Sequence, residues 1–121
     1  MTDIISKIKF KREYPFCFNE YLKNKGLGFI SFNAAIDDLL FRFGLGVVLQ
    51  QVFSETDKFL GYTSYIKVYQ AYSQKFVNPI ADVKVIEDYK KFKSSEKAQK
   101  QTTICALDLL EDNLRMNLIL K

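Results

Sequence analysis

The apolar positions of this chain recur mostly at helical spacing, and the densest pattern lies between Phe29 and Phe53. Apolar residues spaced three, four and seven positions apart fall on one side of a helix. Here they are Ile36, Leu39, Leu40, Phe43 and Val47. Arg42 and Gln50 bound the longest apolar run, which is far shorter than the roughly 20 residues of a membrane span. We therefore predict a buried central helix over residues 29–53 and no membrane span.

Two glycines interrupt this predicted central helix. Gly44 and Gly46 together destabilise a helix by about 2 kcal/mol relative to two alanines. We therefore predict that the helix is kinked or broken between them. Ser31 or Asn33 can cap its start, because both side chains accept hydrogen bonds from the first free N–H groups of a helix.

Helix start and stop signals predict further helices on both sides. Pro15 suits the first position of a helix that Gly26 would end, and Pro79 suits the start of another after Asn78. Ser94 or Ser95 can cap the last helix. One face of that helix carries the following apolar residues: Ile104, Leu107, Leu110, Leu114 and Leu118.

These patterns predict an all-α fold, a compact bundle of about five helices around the central one. Residues 1–12 are compatible with either a short helix or an ordered arm. A chain of 121 residues that is 48% hydrophobic has the size and composition of one globular domain. We therefore expect a single helical domain over residues 1–121.

A stripe of tyrosines marks the helix predicted after Gly61. Its residues are spaced three, four and three positions apart: Tyr62, Tyr65, Tyr69 and Tyr72. Buried phenol hydroxyls each need a hydrogen-bond partner, whereas tyrosine at an interface offers a large rigid surface and one hydrogen bond. We predict that this stripe binds another protein, with Lys67 and Lys75 as its charged rim. The alternative is a half-buried seam of the bundle.

Lysine dominates the charge of the chain. Its formal net charge is +4, and only three of its 18 basic residues are arginine. The most basic run is Lys90, Lys91, Lys93, Lys97 and Lys100. Lysines interleaved with Tyr89 and Phe92 could follow a nucleic-acid backbone and stack on bases, although nearby acidic residues dilute the charge. A second basic patch is possible at Lys7, Lys9, Lys11 and Arg12.

The residue types do not predict an enzyme. Histidine, the commonest general base, is absent. Asp108, Glu111 and Asp112 share one face of the last helix, but Arg115 lies one turn away, which favours a solvated ion-pair face over a metal site. The two cysteines have no metal-binding or redox spacing and indicate reduced core thiols. We expect no catalytic, cofactor-binding or metal-binding residues.

The N-terminus lacks the pattern of a secretory signal. Its basic stretch is followed by Glu13, Tyr14 and Pro15 rather than by an apolar segment, which predicts a cytoplasmic protein. In composition and predicted architecture the chain resembles small lysine-rich helical proteins that act by binding, such as bacterial immunity or inhibitor proteins and the helical subunits of RNA-guided effector complexes. That resemblance implies a non-enzymatic protein-binding module of inhibitor, immunity or adaptor type. The alternative is a nucleic-acid-associated subunit of a ribonucleoprotein or DNA-binding complex.

Overall fold

The structure is a computed structural model that describes residues 3–23, 31–69 and 82–120, with side chains as far as residue 116. In chain order its elements are α1 (Lys7–Glu13), α2 (Pro15–Lys23), α3 (Phe32–Arg42), β1 (Leu45–Phe53), β2 (Phe59–Val68), β3 (Val83–Ile86), a 3-10 turn (Tyr89–Lys91) and α4 (Ser95–Leu120). The described residues thus form helices and a three-stranded antiparallel sheet. The predicted all-α bundle is wrong, because the fold is mixed α/β.

The segment predicted as the central helix divides into α3 and β1. Ser31 caps α3 as predicted, since its Oγ accepts the Ala34 N–H at 3.1 Å. The helix ends before Gly44, whose φ of 81° suits glycine, and the chain then continues as a strand rather than as a second helix. Val47 and Val48 are compatible with the strand, because β-branched side chains pack well on the pleated surface of a sheet, and pairing with β2 fixes it.

The segment predicted as the tyrosine-bearing helix is β2, the middle strand of the sheet. Its neighbours in the order β1-β2-β3 both run antiparallel to it. The next predicted helix is replaced by β3 and the 3-10 turn, and its predicted start at Asn78 lies outside the described residues. Ile66 and Ile86 are 1% and 5% exposed, so burial against the helices accounts for the strand conformation of these apolar segments.

The core lies between the sheet and the helices α3 and α4. Leu40 and Leu107, one from each helix, are buried there together with Leu45 and Ile66 from the sheet. The remaining fully or nearly fully buried apolar side chains of this cluster are Ile5, Phe10, Tyr14, Cys17, Phe32, Ile36, Leu39, Ala106 and Leu110. The predicted burial of Leu39 and Leu40 is therefore confirmed, although the helix that carries them is shorter than expected.

The N-terminal segment belongs to the core. Phe10 of α1 is fully buried, and its ring lies 5.6 Å from that of Phe32 and 5.9 Å from those of Phe18 and Tyr21, measured between centroids. Edge-to-face aromatic pairs of this kind add to the free energy gained from burial. Of residues 1–12, predicted to be a short helix or an ordered arm, residues 7–12 lie in a helix, and residues 3–6 precede it with Ile4 and Ile5 buried.

The last helix is confirmed and connects to the sheet by a buried polar contact. Ser94 accepts the Lys97 N–H at 3.4 Å, in the predicted capping position. Farther along α4, the hydroxyl groups of Thr102 and of Ser64 in β2 are hydrogen-bonded at 2.6 Å. No helix in the described ranges is long and apolar enough to cross a membrane.

Candidate protein-binding edge

The predicted tyrosine stripe is distributed over both faces of β2. Tyr62 lies on the same side as Ser64, which contacts α4, whereas Tyr65 and Lys67 point to the outer face because strand side chains alternate. Tyr72 and Lys75 lie outside the described residues. A single stripe of four tyrosines on a helix is therefore ruled out, and the role of these residues in binding stays a prediction.

The ring of Tyr69 covers the outer face of the sheet near the start of β1. A Cβ atom added at Gly46 would lie 2.8 Å from the Tyr69 ring, so the ring lies directly over that glycine. The Lys67 ammonium lies 5.5 Å from the centroid of the same ring, and Phe41 makes an edge-to-face contact at 5.7 Å. Tyr65, Lys67 and Tyr69 thus share one face, on which the two tyrosines are half-buried and the lysine is exposed.

The basic run forms an exposed border rather than a stacking surface. Its five lysines are exposed, and none forms an ion pair with another described residue: Lys90, Lys91, Lys93, Lys97 and Lys100. The aromatic residues between them are half-buried, and their backbones are held against β2. The Phe92 carbonyl accepts the Tyr62 N–H at 2.8 Å, and the Tyr89 carbonyl lies against Gly61.

The second basic patch is partly engaged in contacts within α1 and its neighbours. Lys9 pairs with Glu13 at 3.7 Å. The ammonium groups of Lys7 and Lys11 lie 5.6 Å and 5.8 Å from the rings of Phe32 and Phe18. The ammonium groups of Lys7, Lys9 and Lys11 therefore already contact partners within the protein.

The acidic face of α4 has a structural role that was not predicted. Glu111 is only 4% exposed and accepts the N–H groups of Phe16 and Cys17 at 3.1 and 2.9 Å. The expected ion pair with Arg115 is present at 3.3 Å, but the face is not simply solvated. Within the described ranges, no group of three or more acidic or cysteine side chains is placed to hold a metal ion.

Two groups that could act as nucleophiles are buried beside these carboxylates. Burial, reinforced by the charge of Glu111, raises the pKa of the Cys17 thiol well above its ordinary value. Burial and a 2.5 Å hydrogen bond to Asp108 raise the pKa of Tyr14 in the same way. Both side chains therefore stay protonated near neutral pH and serve as packing groups and hydrogen-bond donors.

A cleft of about 880 Å³ opens between the N-terminal segment, α3 and the start of α4. Its wall carries carboxylates of Asp3 and Asp37 as well as ammonium groups of Lys97 and Lys100. Partial desolvation raises the pKa of Asp37, although its side chain still reaches solvent. The wall thus carries charges of both signs, which indicates no particular ligand class.

The open edge of β1 is the least expected feature of the structure. Two hydrogen bonds at the ends of the β1–β2 hairpin show which residues of β1 bond to β2. The Tyr69 N–H donates to the Gly44 carbonyl at 2.8 Å, and the Ser54 N–H donates to the Lys58 carbonyl at 2.9 Å. In an antiparallel pair every second residue bonds to the neighbouring strand. Even-numbered residues of β1 therefore bond to β2, and odd-numbered residues point their backbone groups away from it.

No strand covers this outward side in the described part of the chain, because β1 pairs only with β2. Leu45 is 1% exposed, so another strand cannot reach the edge of β1 at this residue. Beyond it, Val47 and Leu49 are half-buried, Gln51 is exposed and Phe53 is 51% exposed. The accessible edge therefore spans residues 47–53.

The two edges of the sheet differ in the features that normally prevent strand pairing. Edge strands of soluble proteins are usually short, bulged or charged. β3 has four residues, carries Lys84 and is bulged against β2. β1 has nine residues without a charge or a proline, and the irregularity near its end places the extra residue, Leu60, on β2. β1 therefore remains a regular template for another strand.

No family model, curated protein or solved structure matches this chain.

Proposed function

We propose that the protein is a non-enzymatic protein-binding module of inhibitor, immunity or adaptor type, and that it binds by accepting an extended segment along the edge of β1. The observation that carries this proposal is the uncharged open edge at residues 47–53. In strand addition, main-chain hydrogen bonds supply affinity and alternate side chains supply specificity. The free thiols of Cys17 and Cys105 suit the cytoplasmic location that we propose with it.

An added strand would bond to the outward backbone groups of Val47, Leu49 and Gln51. Each hydrogen bond contributes about 1 kcal/mol net, so the backbone alone gives a modest affinity. The remainder would come from burial of apolar surface, above all at Phe53, whose ring lies 5.8 Å from that of Phe59. These exposed rings make the hairpin end the natural anchor for the partner.

The tyrosines and lysine predicted as the binding surface take a secondary place in this proposal. Tyr65 lies directly opposite Val48, and Lys67 lies opposite Gly46. A strand added beyond β1 would be two strand spacings from them, about 10 Å away. We therefore assign Tyr65, Lys67 and Tyr69 to the rim of the interface.

The nucleic-acid alternative has less support. Exposed lysines that form no ion pair with another described residue favour a diffuse attraction to phosphates. However, Tyr89 and Phe92, the aromatic residues among them, are half-buried, which reduces the ring area available for the base stacking that sequence-tolerant binders of single strands use. The alternative is retained as an outcome of the test below.

The test compares two substitutions at one residue. Gln51→Pro removes an outward N–H and leaves the bonds to β2 intact, whereas Gln51→Ala keeps that N–H. Capture from native cells by the wild type and by Gln51→Ala, and its loss in a folded Gln51→Pro, would support strand addition. Amide exchange on the recovered complex should show new protection at Val47, Leu49 and Gln51. A partner that folded Gln51→Pro retains in full, or nucleic acid recovered in its place, would overturn the proposal.

A further inference from the structure

We infer that the segment accepted by the β1 edge is the same edge of a second copy of this chain. The inference rests on the proposed strand addition and names its partner. The two sheets would then join, antiparallel and about a two-fold axis, into one continuous sheet of six strands. The protein would act as a symmetric dimer.

The accessible segment is symmetric in its hydrogen-bonding pattern about Gln50. A two-fold axis at this residue pairs Val47 of one copy with Phe53 of the other, and Leu49 with Gln51. All four residues carry outward backbone groups, so both pairs are hydrogen-bonded pairs of an antiparallel ladder. Val48 then faces Val52, and Gln50 faces its own counterpart, at the closer, non-hydrogen-bonded positions.

Other placements of the axis satisfy fewer backbone groups. An axis at Leu49 would require Leu45 to bond, and that residue is 1% exposed. An axis between two neighbouring residues would place outward groups opposite groups already bonded to β2, which an antiparallel ladder does not allow. An axis at Gln51 would pair Val47 with Glu55, which lies beyond the strand. With the axis at Gln50, every residue between 47 and 53 that points its backbone groups outward is hydrogen-bonded to the second copy.

The absence of charge from β1 allows two copies of the chain to pair along this edge. In a symmetric antiparallel pair, a residue on the axis faces its own copy, so a charge there would face a like charge and destabilise the pair. The chain carries a net charge of +4, yet β1 contains no charged residue. Two positively charged molecules could thus meet along the one edge where neither presents a charge. The pairing would also cover Phe53 with Val47 of the second copy.

Engineered disulfides test this geometry directly. Cα atoms of a non-hydrogen-bonded pair are about 4.5 Å apart, which is within disulfide range, so Gln50→Cys should cross-link two copies. Thr63→Cys is the matched control because Thr63 lies opposite Gln50 on β2 and on the same face. Its copies would be three strand spacings apart, about 14 Å, and should not cross-link. Both variants are made with Cys105→Ser, while Cys17 stays buried.

Sedimentation of the uncross-linked protein completes the test. We expect the wild type and Gln51→Ala to sediment at twice the chain mass of 14.1 kDa, and Gln51→Pro to sediment at the single mass. A monomeric wild type, equal cross-linking of both cysteine variants, or a Gln51→Pro dimer would overturn the inference. The wild type could also be monomeric and still capture another protein in a way that depends on Gln51. That result would overturn the second copy as the partner but leave strand addition in place. Capture independent of Gln51 would overturn strand addition itself.

Discussion

The backbone N–H of Cys17 donates a hydrogen bond of 2.9 Å to Oε1 of Glu111, and this contact joins the first turn of α2 to the middle of α4. The other carboxylate oxygen accepts the N–H of Phe16 at 3.1 Å. The first N–H groups of a helix have no partner within it, and they lie at the positive end of its dipole. Glu111 therefore caps α2 from a distance of more than 90 residues in sequence.

Replacing this cap should destabilise the protein. Glu111→Ala leaves two N–H donors unpaired, one of them in a buried residue, so we expect the free energy of unfolding to fall by about 2 kcal/mol or more. Asp112→Ala is the control, because its exposed side chain follows directly on the same helix and should change stability by less than about 0.5 kcal/mol. Urea unfolding of both variants makes the comparison. Equal effects would contradict the capping role.

A side chain at Gly61 should be poorly tolerated. Gly61 has φ of 155°, and a Cβ atom there would come within 1.9 Å of the Tyr89 carbonyl oxygen. Because this neighbour is backbone, no side-chain rotation relieves the clash, and we expect Gly61→Ala to cost about 2 kcal/mol or more. Gly46→Ala should cost less, since its nearest neighbour is the ring of Tyr69, which can rotate. Denaturant unfolding that ranks the two variants in the opposite order would refute this explanation.

Stability should decrease at alkaline pH because of two buried acids. Tyr14 and Cys17 ionise near their ordinary pKa values of 10.0 and 9.0 in the unfolded chain, whereas burial raises both pKa values in the folded state. Above those values the unfolded state has lost protons that the folded state retains, so the free energy of unfolding falls as pH rises. We expect the fall to begin near pH 9 and to steepen above pH 10.

Tyr14→Phe isolates one of these two contributions. It removes the hydroxyl that donates to Asp108 and therefore lowers stability somewhat at neutral pH. Its diagnostic effect is on the slope, which should be shallower than that of the wild type near and above pH 10 and nearly unchanged below pH 9. Unfolding curves measured at several pH values give the slope. Parallel slopes throughout would show that Tyr14 does not contribute.

The exposed lysines should give only a weak, salt-sensitive attraction to nucleic acid. We expect single-stranded RNA to bind at low salt and to dissociate as salt rises, because the contact is to phosphates alone. Lys90→Glu combined with Lys91→Glu should reduce the salt slope by about two ion equivalents. Lys58→Glu, in the exposed turn of the β1–β2 hairpin, changes the net charge by as much as either substitution alone and is the charge control for each single variant. If RNA does not bind measurably at low salt, the nucleic-acid alternative is refuted.

The local signals of the chain predicted its helices. Pro15 starts α2, Ser31 caps α3 and Ser94 caps α4, as the sequence indicated. Leu40 is buried at 1% exposure, as its spacing in the apolar stripe required. These features depend on residues within one or two turns of each other, and a pattern within a single window therefore contains them.

The strands could not be assigned in this way. Tyrosines spaced by three and four residues fit a helix face and predicted a helix, yet Tyr62 and Tyr65 lie on opposite faces of β2. The β-branched residues of β1, β2 and β3 were the available signal for strands, but short apolar runs suit either structure. What decided the conformation is pairing between β1 and β2 and burial against α4, and both involve residues far apart in sequence.

The sequence by itself determined where helices begin, which of their faces are buried and where the chain turns at Gly44, because caps, periodicity and glycine act locally. The tertiary structure alone decided that residues 45–53 form a strand, that no described strand pairs with its outer side, and that Glu111 caps α2. A strand has no partner for its backbone groups within itself. Its existence, its register and its free edge are therefore properties of the assembled sheet.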